Sequence, residues 1–235
     1  AFITGGGIGI NLGIARNFAA VGANLGILGR SQDKLDTAAA ELRALGARVS
    51  THSADVRDYA AVETAMRRCG EELGLVQTLV CGAAGNFPLA AEQLSPNGFK
   101  SVIDIDLLGS FHACRAAFEQ LKQTQGNIIF ISAGQAFMPY AFQAHVGAAK
   151  AGIDNMMRNL ALEWGRFGIR CNSIAPGPIE GTEGMRRLAP GGLTDQLRRL
   201  IPLGRLGTPD DIGQLSVFLA SPLATYITGT LIVAD

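Results

Sequence analysis

A glycine-rich stretch near the start of the chain, TGGGIGIN at residues 4–11, has residue types and spacing suited to binding phosphate. It follows a short apolar run and opens a segment with helical spacing. Glycines permit a tight turn and a close backbone approach, so a dinucleotide pyrophosphate can lie over the helix N-terminus. A glycine-rich turn without a ligand is the alternative, since such motifs alone give false positives. We predict cofactor contacts from Gly5, Gly6, Gly7, Gly9 and Ile10.

Basic and hydroxyl side chains follow a second short apolar run, NLGILG at residues 24–29. Arg30 and Ser31 stand where a site for NAD usually has an acidic residue, and Lys34 adds a charge from the next helix. A guanidinium beside a hydroxyl suits the adenosine 2′-phosphate of NADPH. We therefore predict NADPH as the cofactor. A solvated helix N-terminus with incidental bases is the other interpretation.

Short apolar runs alternate with longer segments of helical spacing along the chain. This alternation implies parallel strands joined by right-handed crossovers. We predict an α/β fold in which residues 1–235 form one domain, a single Rossmann-type doubly wound parallel sheet with helices on both faces. A Gly- and Pro-rich stretch predicts a substrate-covering lobe at about residues 177–205. The predicted helices span residues 10–20, 34–45, 59–73, 99–120 and 149–164.

Composition narrows the possible functions. The 20 basic and 20 acidic residues balance, so nothing favours a nucleic-acid partner. The four cysteines are far apart without a C-x-x-C pair, which favours reduced core thiols over a metal site or disulfides. Residues 125–149 lack formal charge but are too broken by polar residues and proline for a membrane span. Both ends start and stop abruptly in strand-like sequence, so we expect the natural termini to extend further.

Five markers along the chain resemble the short-chain dehydrogenase/reductase family: TGGGIGI, ADV at 54–56, GAAGN at 82–86, Lys150 in its helix, and APGPI at 175–179. They occur in that family's order and cover nearly the whole chain. The resemblance implies about seven parallel strands, a nicotinamide site at their carboxyl ends, and a homotetramer or homodimer. It implies an adenine site at Asp55 and Val56. The remaining implied cofactor contacts come from Ala84, Gly85, Lys150, Pro176, Gly177, Ile179 and Thr182.

The chain also departs from that family's pattern. Counting back from Lys150 places Val146 at the tyrosine of Y-x-x-x-K, and the companion serine is Ala133. Asp106 replaces a helix asparagine, and Asn11 replaces the last glycine of the fingerprint. Valine and alanine carry no proton to donate, so reduction of a ketone by the family's usual route is not expected.

One branch of the family, the 2,4-dienoyl-CoA reductases and especially the peroxisomal kind, shows the same losses. The stretches FKSVIDIDLLGSF, AHVGAAKAG and APGPIEGTEGMRRL resemble that branch. The resemblance implies NADPH-dependent reduction of 2,4-dienoyl-CoA thioesters to 3-enoyl-CoA, an auxiliary step of fatty-acid β-oxidation. Such a reaction needs an anion-stabilising environment and a proton donor directed at carbon.

Asp106 is then the candidate acid, acting directly or through water, with Lys150 setting the local field. A structural ion pair is the alternative for Asp106. His145 adjoins the former tyrosine position and is either part of a relay or a satisfied polar residue near a helix start. Tyr140, the nearest phenol in sequence, shows no sign of pointing inward.

A coenzyme A thioester also brings phosphates. By resemblance, Arg57 and Arg187 are candidates for contacting them, whereas Phe87, Ser95 and Asn97 line the pantetheine path. An exposed surface base is the alternative for each arginine. We expect no metal site, no membrane span and an acyl-CoA substrate.

Two other functions remain open. One alternative is an oxidoreductase of the same fold that acts on another carbonyl or enoyl substrate. The other is a non-catalytic dinucleotide-binding homologue. We expect an intracellular protein, cytoplasmic if bacterial and peroxisomal if eukaryotic. Acyl-chain length is not determined by the sequence.

Overall fold

Seven strands form one parallel sheet in the computed structural model, which describes residues 1–188 and 193–235, with backbone alone for 187, 188, 193 and 194. The spatial order is β3-β2-β1-β4-β5-β6-β7, and every neighbouring pair is parallel. The predicted doubly wound sheet is confirmed. The strands are β1 (Phe2–Thr4), β2 (Leu25–Gly29), β3 (Val49–Ser53), β4 (Thr78–Cys81), β5 (Asn127–Ile131), β6 (Arg170–Pro176) and β7 (Leu231–Ala234).

Helices connect the strands and cover both faces of the sheet. In the described residues they are α1 (Gly9–Ala20), α2 (Gln32–Ala44), α3 (Tyr59–Leu73), α4 (Pro96–Val102), α5 (Gly109–Thr124), α6 (Ala144–Trp164), α7 (Glu183–Leu188), α8 (Leu193–Leu200) and α9 (Pro209–Ala220).

Two hydrophobic clusters hold these layers together. One packs apolar side chains of α3, α5 and α6 on one face, and the other packs those of α1, α2 and α9 on the opposite face. Because both faces are covered, strands such as β5 are buried along their whole length, as parallel strands usually are. All four cysteines lie in this buried interior.

The predicted helix at 99–120 differs from the observed one. Helices α4 and α5 are joined without a break by a π-helical turn, Ile103–Leu108.

Helix α6 begins five residues before its predicted start at residue 149. The burial of Val146 and Ala149 against Val102 accounts for this earlier start, because tertiary packing overrides weak local propensity.

Among the described residues, no helix is long and apolar enough to cross a bilayer. The same residues contain no group of three His, Cys, Asp or Glu side chains placed to hold a metal ion.

Candidate active site

The predicted site residues follow the carboxyl ends of six neighbouring strands, and they therefore lie at one edge of the sheet. Strand order reverses between β1 and β4, which leaves a crevice where the connections diverge to opposite faces. Ligands of open α/β sheets bind at such a switch point.

The glycine loop between β1 and α1 is braced against the end of β4. Thr4 Oγ1 accepts hydrogen bonds from the amides of Gly82 (3.0 Å) and Ala83 (3.2 Å). Asn11 Nδ2 donates to the Gly82 carbonyl at 2.8 Å. A Cβ on Gly82 would lie 2.1 Å from Asn11, so the two residues fit only as a pair. Asn11, the departure from the glycine fingerprint, thus links the two loops.

The N-terminus of α1 suits a phosphate group. Its N-cap, Ile8, makes no side-chain capping bond, and the first turn has no acidic residue. Gly5 (φ +70°) and Gly9 (φ +58°) occupy left-handed conformations that favour glycine. A Cβ at Gly6 would come within 2.9 Å of Ile27, so the loop lies close to the sheet. Gly7 and Ile10 flank the same turn, and this loop and helix end fit a pyrophosphate.

Basic residues gather at the ends of β2 and β3. Arg30, Ser31 and Lys34 are exposed. Arg57 forms a two-pronged ion pair with Asp55, donating to its two carboxylate oxygens at 3.0 and 2.7 Å. These hydrogen bonds from Arg57, with a smaller contribution from Arg30, lower the pKa of the Asp55 carboxyl. The predicted adenine contact and the predicted CoA contact therefore adjoin each other.

Val56, the other predicted adenine contact, is buried, and its carbonyl lies 2.9 Å from His112 Nδ1. On the next loop, Gly85 is tied to the centre of the site, whereas its neighbour Ala84 is exposed.

Asp106 and Lys150 form a buried pair at that centre. Asp106 is fully buried, and its Oδ2 lies 3.1 Å from Lys150 Nζ. Asp106 Oδ1 accepts a hydrogen bond from the Gly85 amide at 2.7 Å. Lys150 Nζ also donates to the Ile131 carbonyl at the end of β5, at 2.9 Å. Three separate elements thus fix the Asp106 carboxyl and the Lys150 ammonium.

The two positions at which the family pattern places a tyrosine and a serine carry no hydroxyl. Val146 is buried one helical turn before Lys150, and Ala133 follows β5. Tyr140 is 48% exposed, although its hydroxyl approaches the backbone at Gly134, where a Cβ would lie 3.1 Å away.

A second buried carboxyl escaped the sequence analysis. Asp154 Oδ2 accepts a hydrogen bond from Ser132 Oγ at 2.8 Å, on the α6 face that carries Lys150. Burial raises the pKa of Asp154 above its ordinary range, while its hydrogen bonds and Lys150 oppose the shift. A polar residue four positions after Lys150 on an otherwise apolar helix face is the signal that could have identified it.

The predicted nicotinamide-side residues follow β6. Pro176 ends the strand, and a Cβ on Gly177 would lie 2.6 Å from Asp235. Thr182 Oγ1 donates to the Ile179 carbonyl (2.8 Å) and accepts from the Met185 amide (3.2 Å), which fixes the start of α7. Arg187 lies in α7, but its side chain is outside the described part of the chain, as are residues 189–192 of the predicted lobe.

The predicted pantetheine residues separate into two groups. Ser95 caps α4 by accepting from the Gly98 amide at 3.1 Å, and Asn97 is exposed in the same helix. Phe87 instead packs on His145, with ring centroids 4.5 Å apart. His145 is fully buried, so the structure places it inside the site wall.

The site therefore combines a glycine loop that fits a pyrophosphate with a buried carboxyl–ammonium pair. A buried carboxyl and an ammonium can hold a water molecule and transfer a proton. The absence of hydroxyls at Val146 and Ala133 argues against direct protonation of a ketone oxygen by a residue at either position.

Comparison with known proteins identifies relatives that are named as enoyl or dienoyl thioester reductases. A family model described as enoyl-(acyl carrier protein) reductase matches residues 6–235. A peroxisomal 2,4-dienoyl-CoA reductase of Saccharomyces cerevisiae, named as (3E)-enoyl-CoA-producing, is 43% identical over 100% of this chain and 82% of its own length. A Bacillus subtilis protein named "probable 2,4-dienoyl-CoA reductase [(2E)-enoyl-CoA-producing]" is 38% identical, covering 99% of this chain and 93% of that protein.

A solved structure resembles the whole fold. The NADPH-bound short-chain oxidoreductase of Pseudomonas aeruginosa PAO1, described as containing an atypical catalytic center, superposes with a TM-score of 0.93. It is 30% identical, and the match covers 100% of this chain and 94% of that one.

Proposed function

Because the chain belongs to the short-chain dehydrogenase/reductase family, we propose that it reduces 2,4-dienoyl-CoA thioesters to 3-enoyl-CoA with NADPH. The observation that carries the proposal is the buried Asp106–Lys150 pair, together with Val146 and Ala133 at the positions where the family pattern places its tyrosine and serine hydroxyls. Identity to curated dienoyl-CoA reductases over the full chain supports the same substrate class.

The cofactor is a nicotinamide dinucleotide, as the family implies. We assign its pyrophosphate to the glycine loop and the α1 N-terminus, and its 2′-phosphate to Arg30, Ser31 and Lys34. When bound, NADPH supplies the hydride. Lys150 holds the nicotinamide ribose, and residues 176–182 shield the nicotinamide from water.

Protonation at carbon is the task of this chain's own residues. Hydride arriving at the δ carbon leaves negative charge spread over the diene and the thioester oxygen. Asp106, in its carboxylic acid form, then delivers a proton to the α carbon through a water molecule that Lys150 helps to hold, and the carboxylate left behind takes up a proton from solvent. Delivery at the α carbon leaves the double bond at the 3 position, whereas delivery at the γ carbon would give a 2-enoyl product.

The lobe after β6 suits an acyl substrate. Leu200 and Leu203, at and after the end of α8, are 79% and 78% exposed. Exposed apolar side chains are suited to covering an acyl chain. We assign CoA phosphates to Arg57 and Arg187, and the pantetheine path to Phe87, Ser95 and Asn97. We also propose a homo-oligomer and, for a eukaryotic source, a peroxisomal location.

A substrate panel tests the function. The purified protein is assayed for NADPH oxidation with a 2,4-dienoyl-CoA, a 3-oxoacyl-CoA and a simple ketone, and the product double bond is located by proton NMR. We expect turnover of the dienoyl-CoA alone, giving the 3-enoyl product. Turnover of only the other two substrates would assign carbonyl reduction instead, and cofactor binding without turnover would indicate a non-catalytic homologue.

Arg30 gives a prediction on cofactor choice. Replacing it by aspartate removes a guanidinium from the 2′-phosphate and supplies a carboxylate for ribose hydroxyls. A charged hydrogen bond contributes about 1.5–3 kcal/mol, so we expect roughly a 10- to 100-fold loss in kcat/KM with NADPH. Activity with NADH should be retained or rise. Arg67→Asp, on the exposed face of α3, is the matched control. Unchanged preference in Arg30→Asp would contradict the assignment.

A further inference from the structure

His145 lies in the first turn of α6 with no exposed surface. Neither its Nδ1 nor its Nε2 has a hydrogen-bond partner in the described part of the chain. A neutral imidazole carries one donor and one acceptor, and buried polar groups are nearly always paired. Leaving them unpaired is costly, so the chain retains a polar group here that packing alone does not explain.

A second polar group at the same helix end is only partly satisfied. Gln143 is buried, and its Nε2 donates to the Phe142 carbonyl at 3.2 Å, but its Oε1 is without a described partner. Phe142 has a left-handed backbone (φ +66°), an unfavourable conformation for a non-glycine residue. Its carbonyl also accepts from the Leu89 amide at 3.0 Å, so the β4–α4 loop is tied to the start of α6.

The N-terminus of helix α6 adds an electrostatic field that favours a negatively charged oxygen. Helix α6 spans 21 residues, its N-cap Gln143 makes no side-chain capping bond, and its first turn contains no acidic residue. The uncapped amides give this end a partial positive charge that attracts an oxygen carrying negative charge.

Phe87 packs against the His145 ring. Its ring lies 4.5 Å from that of His145, and it also contacts the small apolar cluster of Val102, Val146 and Ala149. Phe87 is only partly buried and belongs to the irregular loop between β4 and α4. A rotation of its side chain would open the imidazole to the crevice, and changes of this size are common on binding.

The proposed reaction needs a donor at this position. Negative charge develops on the thioester oxygen, yet Val146 and Ala133 carry no donor, and the Lys150 ammonium already contacts the Ile131 carbonyl and Asp106. His145 precedes Lys150 by about 7.5 Å along the helix axis.

We propose that His145 donates a hydrogen bond to the thioester carbonyl oxygen of the acyl-CoA, supported by the positive end of α6. The inference rests on the proposed function and adds the residue that holds the reacting carbonyl. No proton leaves the imidazole. The hydride's electron pair moves through the diene onto the oxygen, His145 stabilises that charge, and the pair returns to the α carbon as this carbon is protonated.

The test isolates the carbonyl contact. Binding of a 3-enoyl-CoA is compared with that of an S-alkyl-CoA thioether, in which a methylene replaces the carbonyl, for wild type and His145→Leu. We expect wild type to prefer the thioester by about 2- to 10-fold and the variant to show no preference. Affinity for NADPH and for free CoA should not change. With a dienoyl-CoA, kcat of the variant should fall about 100- to 1000-fold.

His52→Gln is the matched control, because His52 is also buried but lies on edge strand β3, hydrogen-bonded to Ser50. Its kcat per folded molecule should equal that of wild type. If His145→Leu keeps both the thioester preference and normal kcat, the inference is overturned.

A measurement on the unaltered protein covers the case in which His145→Leu does not fold. With nitrogen-15 histidine, one of the three imidazoles should shift on binding 3-enoyl-CoA and not on binding the thioether. Identical spectra with both ligands would overturn the inference. If wild type fails to reduce dienoyl-CoA but still shows the carbonyl-dependent shift, the proposed reaction fails and the His145 contact stands.

Discussion

Asp106 is held from two sides, by the Gly85 amide and by Lys150. Withdrawing a carboxyl and an ammonium from water costs free energy that such a buried pair seldom recovers, and apolar replacements are often as stable or more so. The pair is therefore poorly explained as a stabilising device. A chemical role gives a reason for retaining it.

Asp106→Asn tests that role. The amide keeps an oxygen for the Gly85 N–H but cannot supply a proton, so we expect kcat for dienoyl-CoA reduction to fall about 100-fold or more. NADPH affinity, measured by fluorescence titration, should change little. Asp104→Asn is the control, because Asp104 is two residues away in an ion pair with the exposed Lys100. A near-normal rate in Asp106→Asn would remove this carboxyl from the mechanism.

The contacts of Asn11 and Arg57 cannot be predicted from the identity of either residue alone. Asn11 interrupts the glycine fingerprint, and only the structure reveals that it fills the space above Gly82. Arg57 is predicted to contact CoA, but in the structure its guanidinium is held by Asp55. Contact with a phosphate therefore requires the guanidinium to share or leave that carboxylate.

At the scale of elements, the π-helical turn Ile103–Leu108 is the feature that apolar periodicity does not predict. The residues are compatible with a continuous α-helix, and the wider turn accommodates one extra residue. It carries Asp106 to the Gly85 amide while α5 keeps its apolar face on the sheet. Such turns are frequent at functional sites.

Deleting Leu108 tests this positioning. Leu108 is 40% exposed, so its loss removes little packing while favouring a regular helix. Asp106 would turn by about 100° relative to α5, away from Lys150. We expect activity to fall as far as in Asp106→Asn, with NADPH binding and circular dichroism retained. Leu108→Ala keeps the residue count and should be nearly as active as wild type. An active deletion variant would contradict this role of the turn.

At the scale of the whole molecule, the sheet order brings distant segments of the chain to one crevice. The glycine loop, the end of β4, the π-helical turn and α6 meet there because all strands are parallel. The two hydrophobic clusters fix this arrangement from opposite faces. Stability of the fold and geometry of the site therefore depend on the same packing.

The acid stability of the fold gives a further prediction. His52 is buried beside Ser50, and burial lowers the pKa of its imidazole in the folded state. Below about pH 6.5 the unfolded chain takes up a proton at this residue that the folded chain resists. Its contribution to stability is therefore lost as the pH falls below that value.

His52→Gln should make the acid-side loss smaller. We expect the difference in urea midpoint between pH 7.5 and pH 5.5 to be larger in wild type than in this variant, with the slope of the transition unchanged. Equal differences in the two proteins would show that His52 makes no contribution to the acid-side loss.

The order of residues is sufficient to predict the alternation of strands and helices, the glycine loop, the family resemblance, and the loss of the tyrosine and serine hydroxyls. These features depend on local periodicity and residue type, which are readable along the chain. Four features become visible in the folded protein alone: the 3.1 Å approach of Asp106 to Lys150, the π-helical turn, the link from Asn11 to Gly82 and the complete burial of His145. Each depends on how elements distant in sequence pack together, and packing is set by the whole core at once.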